Sequence, residues 1–296
     1  MIKLLWNTHN LKKPINEKLY EQEMRDYLWG LYHKKNSDKW IYEVLDKVQY
    51  KLIEDKKDIK SSDVLLIVDS SVEKKVEFYK NLKSLCSKIY LIHLGDEGGS
   101  SNLNEIYNNF NFVWRTFCLN RYFDNESVSC LPIGYKSGTS LIKKKEERKY
   151  IWTFIGTPHK SSRHDLLFQL SNIEPSFSHK TKKFNEKNII EVNEMSEILS
   201  STKFVPCPNG FVHPETYRVY EALECECIPI VESAYKYYDR LFPKNPFLQV
   251  DKWQDAKLII ENWKEAQIKK KQEECKIWWS EYKTKIQTFI QTKVNT

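Results

Sequence analysis

Arg218 and Glu221 lie in the run Pro214-Glu-Thr-Tyr-Arg-Val-Tyr-Glu-Ala-Leu-Glu-Cys-Glu226, which reads as a helix. Spaced i, i+3, they share one helical face, while Val219 and Leu223 point elsewhere, towards a core. A guanidinium forks onto diphosphate oxygens, and a carboxylate accepts hydrogen bonds from a ribose diol. A nucleotide sugar needs both. Spacing alone favours a plainer reading, a surface ion pair, which is common and contributes little. The wider run, residues 201–231, reads as strand, loop, helix, strand. Pro214 and Glu215 suit the first turn of its helix, where proline loses no hydrogen bond and an acid meets the positive end. Exposed N–H groups there form a possible anion site. His213, just ahead, is open to two readings, a phosphate contact or part of the loop.

The elements that must position these residues alternate along the chain. Val64-Leu-Leu-Ile-Val68 is a continuous apolar run of the kind buried on both faces in a parallel sheet. The run 89–94 is another, with His93 inside it as a core histidine, and it ends in Gly95-Asp-Glu-Gly-Gly99. Strands are also expected at 2–6, 112–114, 128–131, 150–155, 204–205 and 228–231. Helices are expected through Tyr20 to Leu31, over 40–53, 73–86, 195–199 and 214–226, and from 253 to 294. This alternation predicts an open parallel α/β sheet, repeated twice. The charged run from Lys143 to Lys149, which has no apolar period, marks the break between an N-terminal Rossmann-like domain, 1–142, and a second one, 143–265. A last helix, 266–296, is expected to pack back towards the first domain. Ligands bind beyond the carboxyl ends of such strands, which places a cleft between the two sheets. Trp278 and Trp279 recur at helical spacing with Tyr282 and Ile286, which favours packing over sugar stacking for at least one of them.

Composition narrows the function classes. The chain carries 47 basic and 40 acidic residues, a net charge of +7. The basic residues are spread out, without zinc-finger spacing or an RNA-binding aromatic motif, so a solvated surface is favoured over a nucleic-acid groove. A mild positive balance also suits a diphosphate substrate. The 7 cysteines, at 86, 118, 130, 207, 225, 227 and 275, are odd in number and often in apolar contexts. Reduced thiols are expected, and Cys225-x-Cys227 lacks a second pair for zinc. No run approaches the ~18 to 20 apolar residues of a membrane span, and the N-terminus shows no signal-peptide pattern. A soluble cytoplasmic protein is expected.

The order F-x-P-x-P-x-G (204–210), R-x-x-E-A (218–222) and C-I-P-I-V (227–231) resembles the exostosin-type glycosyltransferases, glycosyltransferase family 47. Phe154-Ile-Gly156 followed by Arg163, and Leu131-Pro-Ile-Gly-Tyr135, resemble further segments of that family, and His93-Leu-Gly-Asp-Glu97 resembles a G-D-E segment of its xylosyltransferase-like members. The resemblance covers about residues 90 to 235, and only 201–231 is specific. It implies a GT-B fold and inverting transfer from a UDP-sugar, xylose slightly favoured, to a hydroxyl of an oligosaccharide or other glycan. It implies Arg218 on the diphosphate, Glu221 on the ribose, backbone approach at Gly156, Arg163 as a further phosphate contact, and Asn209 and Gly210 beside the donor. It also implies no metal or other cofactor, in keeping with the lack of a D-x-D where a GT-A enzyme would have one. The Golgi members of that family carry a membrane anchor; with none expected here, the resemblance points to a bacterial or viral enzyme.

Inverting transfer needs a base for the acceptor hydroxyl. Glu97 or Asp96, in the glycine-flanked loop, is the expected base, although an Asp there also serves simply to turn the chain. Asp69 is a second candidate. Arg115, Tyr135 and Lys136 follow strands where they could touch donor or acceptor. Three rivals stay open. An inactive homologue would bind UDP without releasing it from a sugar. A nucleic-acid binder would show steep salt dependence. A retaining GT-B enzyme often has E-x7-E in this region, and this chain has His213 at the first of those positions.

Overall fold

The computed structural model describes residues 1–7, 17–73, 75–99, 103–142, 147–182 and 190–296, with backbone alone for 7, 17–27 and 29. The chain forms two units. The first is Met1–Ile133 together with Lys285–Thr296, the second Gly134–Thr284. The division falls at Gly134, ahead of the expected position 143, so Tyr135 and Lys136 belong to the second unit. Of the charged run expected to mark the break, 143–149, the first four residues lie outside the described residues.

Unit 1 runs β1 (Ile2–Asn7), α1 (Glu17–Val44), β2 (Tyr50–Ile53), β3 (Val64–Asp69), α2 (Val76–Lys83), β4 (Lys88–His93), α3 (Asn104–Tyr107), β5 (Phe112–Arg115) and β6 (Val128–Cys130). The strands form one parallel sheet, ordered β2-β1-β3-β4-β5-β6. Apolar residues at nearly every position of β3 and β4 let both faces of the sheet be covered. Leu65, Ile67, Leu91 and Val113 join Tyr79, Leu82 and Ile106 in one core. The last stretch of the chain belongs to this unit: Phe289 packs edge-on to Phe112 and Trp114, and Gln287 and Gln291 cap the carbonyls of Glu43 and Lys47.

Unit 2 runs β7 (Tyr150–Gly156), α4 (Arg163–Gln169), β8 (Ser176–Lys180), α5 (Val192–Ser200), β9 (Thr202–Cys207), α6 (Tyr217–Glu224), β10 (Ile228–Glu232), α7 (Tyr237–Leu241), β11 (Leu248–Val250), α8 (Trp253–Asn262) and most of α9 (Glu265–Asn295). Its sheet is also parallel, ordered β11-β10-β9-β7-β8. Phe154, Phe204, Ile228 and Ile230 meet Leu166, Trp253 and Ile260 in its core. Trp278 packs on Phe242 and Phe247, and buried Trp279 packs on Tyr220 and donates to Glu224. Both tryptophans therefore pack into the fold, as expected for at least one of them.

Several expectations are corrected. The helix expected over 40–53 is the end of α1 followed by strand β2, because Tyr50–Ile53 pairs with β1. The C-terminal helix is two helices, broken at Trp263, whose backbone is extended. Cys118 and Cys130, expected as thiols, form a disulfide. Arg115 lies opposite Cys130, so the chain leaving β5 brings Cys118 to a Cα–Cα distance of 5.3 Å, within disulfide reach. The other cysteines are free. Around Cys225 and Cys227, Arg148 donates to the carbonyls of Cys225 and Glu226 and to Cys227 Sγ, which makes the C-x-C pair a structural turn.

Candidate functional site

In unit 2 the chain goes from β7 out to β8, then returns to place β9 on the other side of β7. Loops diverge at such a switch point and leave room for a ligand. The two strands pair only as far as Trp152 and Phe204. Beyond that, the Ile155 carbonyl takes its hydrogen bond from Arg218 Nη2, at 2.9 Å. The Arg218 guanidinium lies over the Phe154 ring, 5.0 Å from its centroid. Gly156 ends β7 with φ 147°, and a Cβ there would stand 2.8 Å from Arg218 Nη2. Glycine is thus required both for the backbone and for the room Arg218 occupies.

Glu221 shares the face of Arg218 on α6 but is only 8% exposed, and no ion pair joins the two among the described residues. The surface-pair reading therefore fails. Burial raises the Glu221 carboxyl above its ordinary value, against the charges of Arg218 and Lys136. The charge of Lys136 is thus felt at Glu221, whereas Tyr135 is buried. Arg163, the first residue of α4, donates to the Thr157 carbonyl at 3.0 Å and to the Asn209 carbonyl at 3.5 Å. Burial and the neighbouring Arg218 pull its pKa down to about 10, with Glu232 opposing.

Two guanidiniums thus stand close together. Each keeps one buried N–H without a partner among the described residues, Arg163 Nε and Arg218 Nη1, and two buried oxygens of neighbouring loop and helix-start residues, Asn209 Oδ1 and Thr216 Oγ1, also have none there. Each such atom costs ~1–3 kcal/mol if left unsatisfied. They come from the start of α4, the loop 208–216 and the start of α6. The set is rich in donors and in positive charge, which suits a polyanion.

The loop 208–216 is braced from within. Asn209 N–H donates to Glu232 Oε2 at 2.7 Å. A Cβ on Gly210 would lie 2.4 Å from the His213 carbonyl, so no side chain fits. Glu215, 2% exposed, accepts from Tyr220 and, at 2.8 Å, from Tyr237. Pro214 and Glu215 are therefore not a first helical turn. The helix starts at Tyr217, after an extended Thr216, because Glu215 is drawn into this tyrosine cluster. His213 Nδ1 accepts the Glu215 N–H at 3.1 Å, and the ring sits edge-on to Tyr237. Of its two readings, the loop one matches the geometry.

In unit 1 the sheet order reverses between β1 and β3, and the acids expected near that edge fare differently. Asp69 is 1% exposed. It is paired with Lys75 at 2.9 Å and accepts from Tyr79 at 2.7 Å, so its carboxylate is engaged within unit 1. Arg115 is fully buried and cannot touch a substrate. Its Nη2 holds Asp96 Oδ2 at 3.2 Å and the Phe117 carbonyl at 3.3 Å, and Nη1 reaches Tyr107 at 3.4 Å. Asp96, with φ 56°, is thereby held in the domain, which favours Glu97 of the two expected bases. Glu97, next along, is half-buried and makes no hydrogen bond or ion pair among the described residues. His93 is buried in the core, with Nδ1 on Tyr107 at 2.7 Å and Nε2 unpartnered among the described residues.

Residues 135–295 match the family described as the RXYLT1 C-terminal domain. The chain belongs to that family. A curated relative, ribitol-5-phosphate xylosyltransferase 1 of Danio rerio, is 24% identical over 200 residues, 58% of this chain and 45% of the relative. The chain thus spans less than half the length of that relative. Among solved structures, an α1,3-fucosyltransferase shares 12% identity at a TM-score of 0.51, covering 100% of this chain and 90% of that one. The DNA-modifying β-glucosyltransferase, whose substrate is uridine diphosphoglucose, shares 13% at 0.53, with both chains covered fully. The fold is the GT-B one. The RXYLT1 family match begins at Tyr135, almost where unit 2 begins, and takes in every residue of the site just described in that unit. The exostosin-type resemblance thus holds at the level of a glycosyltransferase family. Sequence reasoning missed Glu232, and it read Glu215 as a helix first turn rather than as the acceptor of the tyrosine cluster. The signal for Glu232 was present, since it directly follows the apolar run 228–231.

Proposed function

We propose that this chain is a glycosyltransferase that holds a UDP-sugar in unit 2 and transfers the sugar with inversion to a hydroxyl. The supporting observation is the pair of guanidiniums, Arg163 and Arg218, each with a buried N–H that has no partner among the described residues. Their free N–H groups neutralise the diphosphate, Glu221 accepts from the ribose diol, and Gly156 lets the nucleotide approach the backbone. Glu97 is the base. It takes the acceptor proton as the acceptor oxygen bonds to the anomeric carbon, and the bond from that carbon to the diphosphate breaks with its electron pair leaving on UDP. Arginine charge on the leaving group supports a reaction without a metal. The name of the zebrafish relative favours xylose as the sugar, and a glycan or a phosphorylated polyol as the acceptor.

Calorimetric titration with UDP, with and without EDTA, tests this reading on the wild type and on Arg218→Ala. Micromolar, chelator-insensitive binding that is lost in the variant is expected, followed by UDP release from UDP-xylose on adding acceptor. A wild type that binds no UDP would sink the proposal. UDP binding without turnover in any acceptor screen would leave an inactive sugar-nucleotide binder.

A further inference from the structure

We infer that Glu232 is the residue of this site that reads the donor sugar. The inference rests on the UDP-sugar reading above and adds a role to it. Glu232 is the last residue of β10, at the carboxyl edge of the sheet. Its Oε2 is taken by the Asn209 N–H at 2.7 Å, while Oε1 accepts nothing among the described residues. The side chain is half-buried, and its charge is felt by Arg163.

Each of the two arginines of the site has a carboxylate nearby that it does not pair with. Arg218 stands by Glu221, and Arg163 by Glu232. A carboxylate repels phosphate oxygens and accepts from hydroxyls. A nucleotide sugar has the matching pattern, since its diphosphate is flanked by the ribose diol on one side and by the sugar hydroxyls on the other. With the arginines on the diphosphate and Glu221 on the ribose, Glu232 is left facing the sugar. Its free oxygen accepts a sugar hydroxyl, while its other oxygen fixes the Asn209 loop. A sugar bearing its own carboxylate would be repelled there, so neutral sugars are selected.

Glu232→Gln separates this role from loop bracing. The amide keeps one oxygen for the Asn209 N–H and turns the other acceptor into a donor. Titrations with UDP, UDP-xylose, UDP-glucose and UDP-glucuronic acid read the result. The wild type should bind a neutral UDP-sugar more tightly than UDP and disfavour UDP-glucuronic acid. Glu232→Gln should leave UDP affinity within about twofold, weaken the preferred UDP-sugar about tenfold, and narrow the gap to UDP-glucuronic acid. Equal loss of UDP and UDP-sugar would overturn the inference in favour of a brace. No change in either, or a wild type indifferent to the sugar, would also overturn it. In all these cases Arg218-dependent UDP binding leaves the donor-site reading standing, and only a wild type blind to UDP removes both.

Discussion

Arg218 is positioned by three things that fail separately: the Ile155 carbonyl, the Phe154 ring and the missing Cβ of Gly156. A lysine supplies charge but neither the fork nor the stacking plane. Arg218→Lys should therefore weaken UDP by about one order of magnitude or more, measured by titration, and equal affinity in the two proteins would argue against bidentate diphosphate contact. Gly156→Ala pushes on the far end of Arg218 and forces a strained φ, so it should reduce UDP affinity in the same assay. The acids of loop 95–99 divide in the same way. Glu97→Gln should cut kcat by about 10²- to 10⁴-fold while sparing UDP affinity and thermal stability. Asp96→Asn should instead lower stability, by about 3–5 kcal/mol, since it leaves the buried Arg115 charge uncompensated. A stable, inactive Asp96→Asn protein would return the base role to Asp96. From sequence, both acids looked alike. What separates them is Arg115, a long-range partner whose reach into the domain no local spacing reveals.

At the scale of elements, legibility followed burial. β3, β4 and β10 are covered on both faces, and their unbroken apolar runs were readable. β2 and β8 are edge strands with mostly exposed or half-buried positions, so Tyr50-Lys-Leu-Ile53 and Ser176-Phe-Ser-His-Lys180 carry little pattern, and the first was absorbed into the preceding helix. The start of α6 was misplaced for another reason. Pro214-Glu215 is a sound local helix start, but a buried tyrosine cluster outweighed it. That cluster gives the loop its rigidity. Tyr237→Phe removes one hydrogen bond to buried Glu215 and should lower the melting temperature in line with ~1–3 kcal/mol. It should also weaken UDP, because Asn209 and Thr216 lie in the same loop. Unchanged UDP affinity in a destabilised Tyr237→Phe protein would show that the loop is set by Glu232 and Gly210 alone.

Across the whole molecule, the two units carry different buried charges, and this sets how each responds to acid. In unit 1, burial lowers His33 to about 4. His93 is held well below its usual value by burial first, then by Arg115, His33 and Lys75, while Tyr107 takes its Nδ1. The unfolded chain binds these protons near the ordinary histidine value of ~6.5. Below that point the unfolded state takes up protons that the native state refuses, so stability must fall as pH falls, by up to ~1.4 kcal/mol per pH unit for each histidine. Glu221 in unit 2 has the opposite sign. Its raised carboxyl favours the protonated form in the fold, so acid relieves that site rather than stressing it. Hydrogen exchange should therefore show the amides of β3, β4 and β5 losing protection between pH 7.5 and 5.5 more steeply than those of β7, β9 and β10. His93→Gln should flatten the dependence in unit 1 only. Equal slopes in the two sheets, or a gain of protection in β4 on acidification, would contradict a neutral buried His93.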